Sequence, residues 1–367
     1  MNVRAITIRF SRSIERLRKF GGHAGHAPRV AVLAAVVTVC AVAARVRADG
    51  LPLRVERRLP IAIAGRPTAL AIAPDGGLVY LGIGGSLAAF STNDATPAGT
   101  LALGGDAVDL QITPDGRQVY VALGAPARVL RVALAPLRLR ATWHLPAAPS
   151  SMLLDADEGL LFVASAATHR LFALDAATGR MRASIVLADP PGQLVANGYG
   201  SLFVAQAARE RIDVIDTHTL RLTGSLPLDG CRQPGGLALD PVGRRLFVHC
   251  ASGTVLVVDT DVGFTFERLP AAAGSMRGLF VHAPVPGWKG AALFVSSAGA
   301  LDAVRMLAFI RYVDGGRRAL DMPVAAFAYD AVHRRLWLAS APQGGATAGR
   351  WTWVSAVAAP GNAGETP

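Results

Sequence analysis

Ala69-Leu-Ala-Ile-Ala-Pro-Asp-Gly-Gly-Leu-Val-Tyr-Leu81 is an apolar run, a turn and a second apolar run that ends on an aromatic residue. Asp109-Leu-Gln-Ile-Thr-Pro-Asp-Gly-Arg-Gln-Val-Tyr-Val121 repeats the pattern 40 residues on. Proline sets φ at the first inner position of a tight turn, and glycine accepts the positive φ that closes it. Gly236-Leu-Ala-Leu-Asp-Pro-Val-Gly-Arg244 carries a variant of the same turn. The flanking runs are short and rich in Ile, Val, Leu and Tyr, which reads as strand-turn-strand.

Outward from these units the apolar-aromatic pair recurs as Val79-Tyr80, Val119-Tyr120, Leu161-Phe162, Leu202-Phe203, Leu246-Phe247, Leu293-Phe294 and Leu336-Trp337, with spacings of 40, 42, 41, 44, 47 and 43 residues. That period matches a four-stranded propeller blade and exceeds the helical repeats of about 33 or 34 residues. A third strand follows each pair, clearest in Arg170-Leu-Phe-Ala-Leu-Asp-Ala-Ala-Thr-Gly179 and Arg211-Ile-Asp-Val-Ile-Asp-Thr-His-Thr219. There Asp-x-x-Thr supplies a side-chain-capped turn into an outer strand such as Leu222 to Leu228. The expected fold is all-β: a seven-bladed β-propeller with four antiparallel strands per blade. The last repeat has only three strands, Val324 to Tyr329, Arg335 to Ser340 and Trp351 to Val357, whereas Leu53 to Ile63 precedes the first repeat and has the composition of an outer strand. The N-terminal strand is therefore expected to complete the last blade and remove an open sheet edge.

The composition, 51% hydrophobic and 17% charged with 39 Gly, 23 Pro and 3 Cys, excludes a disordered, collagen-like or disulfide-dense chain. A net charge of +11 would suggest a nucleic-acid partner, but nine basic residues and one acidic residue lie in residues 1–48, ahead of and just after the uncharged run Val30 to Ala44. A basic segment, an apolar segment of 15 residues and small residues at Ala44 and Ala48 read as a signal peptide or an N-terminal membrane anchor. The remaining residues carry a net charge of about +3 and no aromatic-interleaved basic patch, so no nucleic acid is expected. The expected organisation is 1–48 targeting segment, 49–359 propeller and 360–367 disordered tail. The compartment is periplasmic or otherwise exported, with residues 30–44 holding the chain to the inner membrane if the signal is not cleaved.

The Pro-Asp-Gly-x-x-Val-Tyr units at Pro74 to Leu81 and Pro114 to Val121, with Val-Ile-Asp-Thr at Val214 to Thr217, resemble the YVTN-type β-propeller repeats of exported bacterial proteins. The resemblance spans roughly residues 53–358. It departs from that pattern where Gly82-Ile83 and Ala122-Leu123 stand in place of Thr-Asn, and where Pro284 to Gly290 is inserted in the sixth repeat. Val304 to Tyr312, in the same repeat, reads equally as a strand or a short helix. The resemblance implies a fold and an exported setting, and it carries no catalytic residue over.

No Cys-x-x-Cys-His, His-Glu-x-x-His or phosphate-cradling glycine loop occurs, so no cofactor, metal or catalytic residue is assigned. Blade topology places His169, Arg170, Arg209, Glu210, Arg211, Arg232, His249 and Arg277 in loops of one face, a mixed surface suited to an anionic ligand. A solvated rim is the plainer reading of the same residues. Asp155, Asp157, Glu158 and Asp240 fall at turns of the opposite face, while Asp106 and Asp109 bracket the start of an inner strand. Cys231 and Cys250 lie at the same face of the fifth blade, where an oxidising compartment favours a disulfide; a Cys/His metal site with His249 is the alternative. The expectation is a monomeric, exported binding protein of the bacterial envelope, its partner a protein, a glycan or a small anion. The alternative is a periplasmic propeller enzyme of lactonase, lyase or dehydrogenase-component type, with its site at the channel mouth.

Overall fold

The computed structural model describes residues 53–281, 290–306, 311–340 and 348–356. Residues 1–48, expected to be a targeting segment, most of the Pro284 to Gly290 insertion and the tail at 360–367 lie outside the described residues. Among the described residues every regular element is a strand. Strand β1 is Leu53–Ala64, and the first sheet follows as β2 (Pro67–Ile72), β3 (Leu78–Ile83), β4 (Ser86–Ser91) and β5 (Pro97–Ala102). Consecutive strands form the second sheet, β6–β9 (107–144), the third, β10–β13 (151–186), and the fourth, β14–β17 (191–227). The fifth is β18–β21 (234–270) and the sixth is β22–β25 (276–319). The seventh takes β26 (Val324–Asp330), β27 (Arg335–Ser340) and β28 (Ala348–Ala356) together with β1, which pairs antiparallel to β28 with Leu53 opposite Ala356. In the sixth sheet β24 ends at Met306 and β25 begins at Tyr312, so Val304 to Met306 and Tyr312 of the ambiguous stretch are strand.

The turns form for the reasons their residues suggest. Gly76 and Gly116 take φ of 73° and 68°, and each N–H bonds the carbonyl three residues back, on Ala73 and Thr113, at 2.8 Å. The Asp75 and Asp115 carboxylates accept the N–H groups of Gly77 (2.9 Å) and Arg117 (3.0 Å). At the Asp-x-x-Thr turns, Asp175 Oδ1 accepts both the N–H (2.9 Å) and the hydroxyl (2.8 Å) of Thr178, and Asp216 holds Thr219 in the same way. These bonds keep the Asp175 and Asp216 carboxyls below the usual carboxylate range, led by the Thr178 hydroxyl and the Thr219 N–H respectively.

The recurring aromatic residue sits on the second strand of each sheet, and all seven are buried, from Tyr80 and Tyr120 to Trp337. That strand is covered on both faces by neighbouring sheets, so its sequence is a continuous apolar run rather than an alternation. One apolar cluster lies between each successive pair of sheets. A further cluster, with Leu70, Val79 and Phe90 against Ala326 and Trp337, joins the seventh sheet to the first. The sheets thus stand round a ring with their first strands innermost, the arrangement of a β-propeller. Antiparallel alternation puts the turns after first and third strands on one face, and the loops that enter the inner strands on the other.

Candidate binding site in the central channel

The inner strands leave a channel of about 890 Å³, within the range of small-molecule sites. Each inner strand is a sheet edge, and its outward N–H and C=O groups need partners. Polar side chains of these strands supply some of them. Asp109 in β6 accepts the N–H of Leu110 at Oδ1 (2.8 Å) and the N–H of Met152, in the third sheet, at Oδ2 (2.9 Å). Gln111 donates to the Met152 carbonyl at 3.1 Å, and Ser151 donates to the Gly192 carbonyl of the fourth sheet at 3.1 Å. Gln193 reaches furthest. Its Oε1 accepts from Leu237 and Gly278, both at 3.1 Å, while its Nε2 donates to the Gly278 carbonyl at 2.9 Å, so one side chain ties the fourth, fifth and sixth sheets. Glycines permit that approach: a Cβ on Gly278 would lie 2.5 Å from the Leu237 carbonyl oxygen, and one on Gly236 would lie 2.7 Å from that of Met276.

Arg277 in β22 also lines the channel, and its charge acts on Asp109. Burial pushes the Asp109 carboxyl above its usual range, while Arg277 and the two backbone N–H donors oppose the rise. The Arg277 side chain makes no hydrogen bond or salt bridge to any of the described residues. Asp109, Gln111, Ser151 and Gln193 all hold the channel wall, whereas Arg277 has its donors uncommitted. Toward the turn face the lining includes Ile112, Leu153, Val195, Leu239, Leu279 and Phe327 together with Tyr329. No group of three His, Cys, Asp or Glu gathers as a metal site among the described residues, and Asp109 is the one carboxylate lining the channel there.

The other candidate residues of the loop face serve the fold or stand apart. Arg170 donates to Ser184 Oγ at 3.0 Å, and the carbonyl of His169, a residue with φ of 52°, accepts the Leu187 N–H at 2.9 Å. Arg209 pairs with Asp189 at 2.6 Å, Glu210 accepts the Gly230 N–H at 2.9 Å, and Arg211 lies 3.0 Å from the buried Asp213. Burial raises the Asp213 carboxyl and Arg211 opposes it. Arg232 is exposed. His249 does not share that surface: it is buried beside Phe294, with Nε2 at 2.9 Å from the Ala272 carbonyl, because β19 (Arg245–Cys250) is covered on both sides. Cys231 and Cys250 are joined, with Sγ atoms 2.01 Å apart and Cα atoms 5.1 Å apart, which ties the loop entering β18 to the end of β19. Asp106 lines a smaller cavity at the channel rim with Arg66 and Thr68. At the turn face Asp240 accepts the N–H groups of Val242 (3.1 Å) and Gly243 (2.9 Å), and Asp155 accepts that of Glu158 at 3.3 Å.

Gln111, Ser151 and Gln193 carry no motif. Their one signal in the sequence is a polar residue within a mostly apolar inner strand.

No family model matches the chain, and no curated protein matches it. Among solved structures it is similar to the hydrazine synthase of Kuenenia stuttgartiensis, with a TM-score of 0.63 and 15% identity over 76% of this chain and 93% of that one. As many as 1765 chains of solved structures resemble it, so the likeness describes a widely used fold and leaves function to the site.

Proposed function

We propose that this chain is an exported, seven-bladed β-propeller of the YVTN-repeat type that binds a small anionic ligand at the loop-face end of its central channel and does not transform it. The seven four-stranded sheets, the β1–β28 pairing and the tandem Pro-Asp-Gly turns support the architecture. The basic and apolar character of residues 1–44 supports export to the periplasm, either cleaved or anchored through residues 30–44. The observation that carries the binding reading is Arg277, an exposed guanidinium in the channel lining whose donors are held by none of the described residues, while Asp109, Gln111, Ser151 and Gln193 are spent on the wall. Asp109, whose two oxygens are each held by a backbone N–H and which is the one carboxylate among the described channel residues, supports the reading of binding without turnover.

The test is native mass spectrometry of protein purified from periplasmic extract. A small anion should accompany the wild-type protein and be absent from R277Q. Identical, ligand-free spectra for both proteins would sink the binding reading, and protein found in the cytosol, absent from both the periplasmic extract and the membrane fraction, would sink the export reading.

A further inference from the structure

Exposed apolar side chains gather on one face of the ring. Of the ten large ones among the described residues, Tyr199, Val242, Val262, Phe264 and Val332 stand in the connections of the turn face. Four more, Phe266 among them, lie within the first three residues of an outer strand, beside those connections. Val186, at the end of β13, is the one that lies toward the loop face. The turns do not require this. Their tip position holds Asp75 and Asp115 in the first two sheets but Val242 and Val332 in the fifth and seventh, where Asp240 and Asp330 accept the turn N–H groups instead. The two valines, 86% and 55% exposed, add nothing to the bonding of their turns.

On the fifth sheet these side chains form a ridge. Phe264 and Phe266 meet edge to face at 5.3 Å, Arg245 covers the Phe266 ring at 4.2 Å, and the Arg244–Asp261 pair at 2.6 Å ties the two turns together. Gly263 abuts Leu226 of the fourth sheet, whose own turn carries Tyr199. Arg244 and Arg245 are paired with Asp261 and Asp259, so the ridge is apolar and close to neutral.

The course of the chain identifies what lies against it. β1 is the fourth strand of the seventh sheet and runs antiparallel to β28, so Leu53 and Ala356 sit at the turn face and Ala64 at the loop face. Residues 45–52 separate Leu53 from the uncharged run that ends at Ala44, and they span at most about 30 Å. A run held in a bilayer therefore brings the turn face, not the loop face, toward the lipid. Scattered tips suit that surface. Lipid closes round each one separately, whereas a stable protein interface needs a continuous patch of about 800 Å² on each partner.

Resting on the anchored form of the export reading above, we infer that the turn face docks on a phospholipid bilayer, with Val242, Val262 and Phe264 entering the boundary between headgroups and acyl chains. Tyr199 suits the same depth, since its ring is apolar and its hydroxyl wet. The attraction comes from apolar burial, so it neither needs anionic lipid nor falls with salt. The loop-face end of the channel, with Arg277, then points away from the lipid and stays open to solutes.

The experiment places an environment-sensitive fluorophore on single cysteines of the full chain reconstituted in phosphatidylcholine vesicles. Both reporters carry C40S; one adds V262C at the turn face and the other V186C at the loop face. The V262C label is expected to emit further to the blue than the V186C label and to be quenched by lipid bearing a nitroxide just below the headgroup, while the V186C label stays aqueous. Phosphatidylglycerol or high salt should change neither. V242D/F264D, at exposed positions whose turns are closed by Asp240 and Asp259, should abolish the V262C shift and keep the urea midpoint. An aqueous V262C label on folded protein that stays in the vesicles would overturn the docking and leave the anchor standing. Folded protein that leaves the vesicles with an aqueous label would overturn both. Equal quenching of the two labels would overturn the assignment to one face, and a shift confined to anionic vesicles and reversed by salt would overturn apolar insertion. A blue shift that is present without vesicles and grows with protein concentration would make a second copy of the chain the occupant and overturn the lipid assignment.

Discussion

Tyr312 donates its hydroxyl to Asp240 Oδ2, joining an outer strand of the sixth sheet to the hairpin turn of the fifth. The phenol is buried edge-on to Phe247, at 4.8 Å between ring centres, and burial followed by the Asp240 bond pushes its ionisation far above the ordinary tyrosine value. The bond therefore persists at alkaline pH. Tyr312→Phe removes the donor and leaves a buried carboxylate oxygen without that partner, which should cost about 1–3 kcal/mol. A urea midpoint within error of wild type would show the bond to be energetically idle.

His249 predicts an acid-side loss of stability. Burial lowers its folded pKa below the ordinary histidine value, against smaller opposing effects from the Ala272 carbonyl and Asp302. As pH falls through about 6.5, the usual value for an unfolded histidine, the unfolded chain takes up the proton first. Stability contributed by neutral His249 is thus present above that pH and is lost as pH falls through the folded pKa. Urea midpoints at pH 7.5, 6.5 and 5.5 should decline for wild type and decline less for His249→Gln. Equal slopes would assign the pH dependence elsewhere.

Gly278→Ala should destabilise by about 1–3 kcal/mol, since the new methyl meets the Leu237 carbonyl oxygen at 2.5 Å and presses β22 away from β18. Gly224→Ala is the matched control: nothing lies within 4 Å of its added carbon and its φ is ordinary. That variant should equal wild type or gain slightly. Thermal unfolding of the pair decides the matter, and equal midpoints would mean that the inner strands can separate freely.

Joining Cys231 to Cys250, 19 residues apart, restricts the unfolded chain. Replacing both by serine should cost about 2–4 kcal/mol. The readout is the thermal midpoint of the double variant beside that of wild type with and without reductant. A midpoint insensitive to both treatments would argue against the bond in solution.

Much of the strand pattern was legible because it is local. Pro74-Asp-Gly76 and Asp175-x-x-Thr178 close turns with bonds spanning two to five residues, and such bonds repeat with the sequence. Leu53 to Ile63 reads as an outer strand without a partner, and β1 pairs with β28. The channel wall was far less legible. Gln193 finds its partners 44 and 85 residues away, and those partners are backbone groups, which leave no mark in a sequence. Asp109 stood out only as an acid at a strand start. Placing His249 in a loop failed for a related reason: in Leu246-Phe-Val-His-Cys250 the residue belongs to a strand covered on both faces, where alternation no longer tells inside from outside.

Pairing β1 with β28 also orders events in time. The first strand made must wait for the last, because about 284 residues separate Ala64 from Ala348. At a synthesis rate of about 5–20 residues per second, that is a wait of roughly 15–60 s. Until then β27 exposes an edge, and β1 has only transient neighbours on the growing chain. The ring is completed only once β28 has been made, so a truncated product ending before residue 348 retains an open sheet and is the species most prone to join edges with another copy.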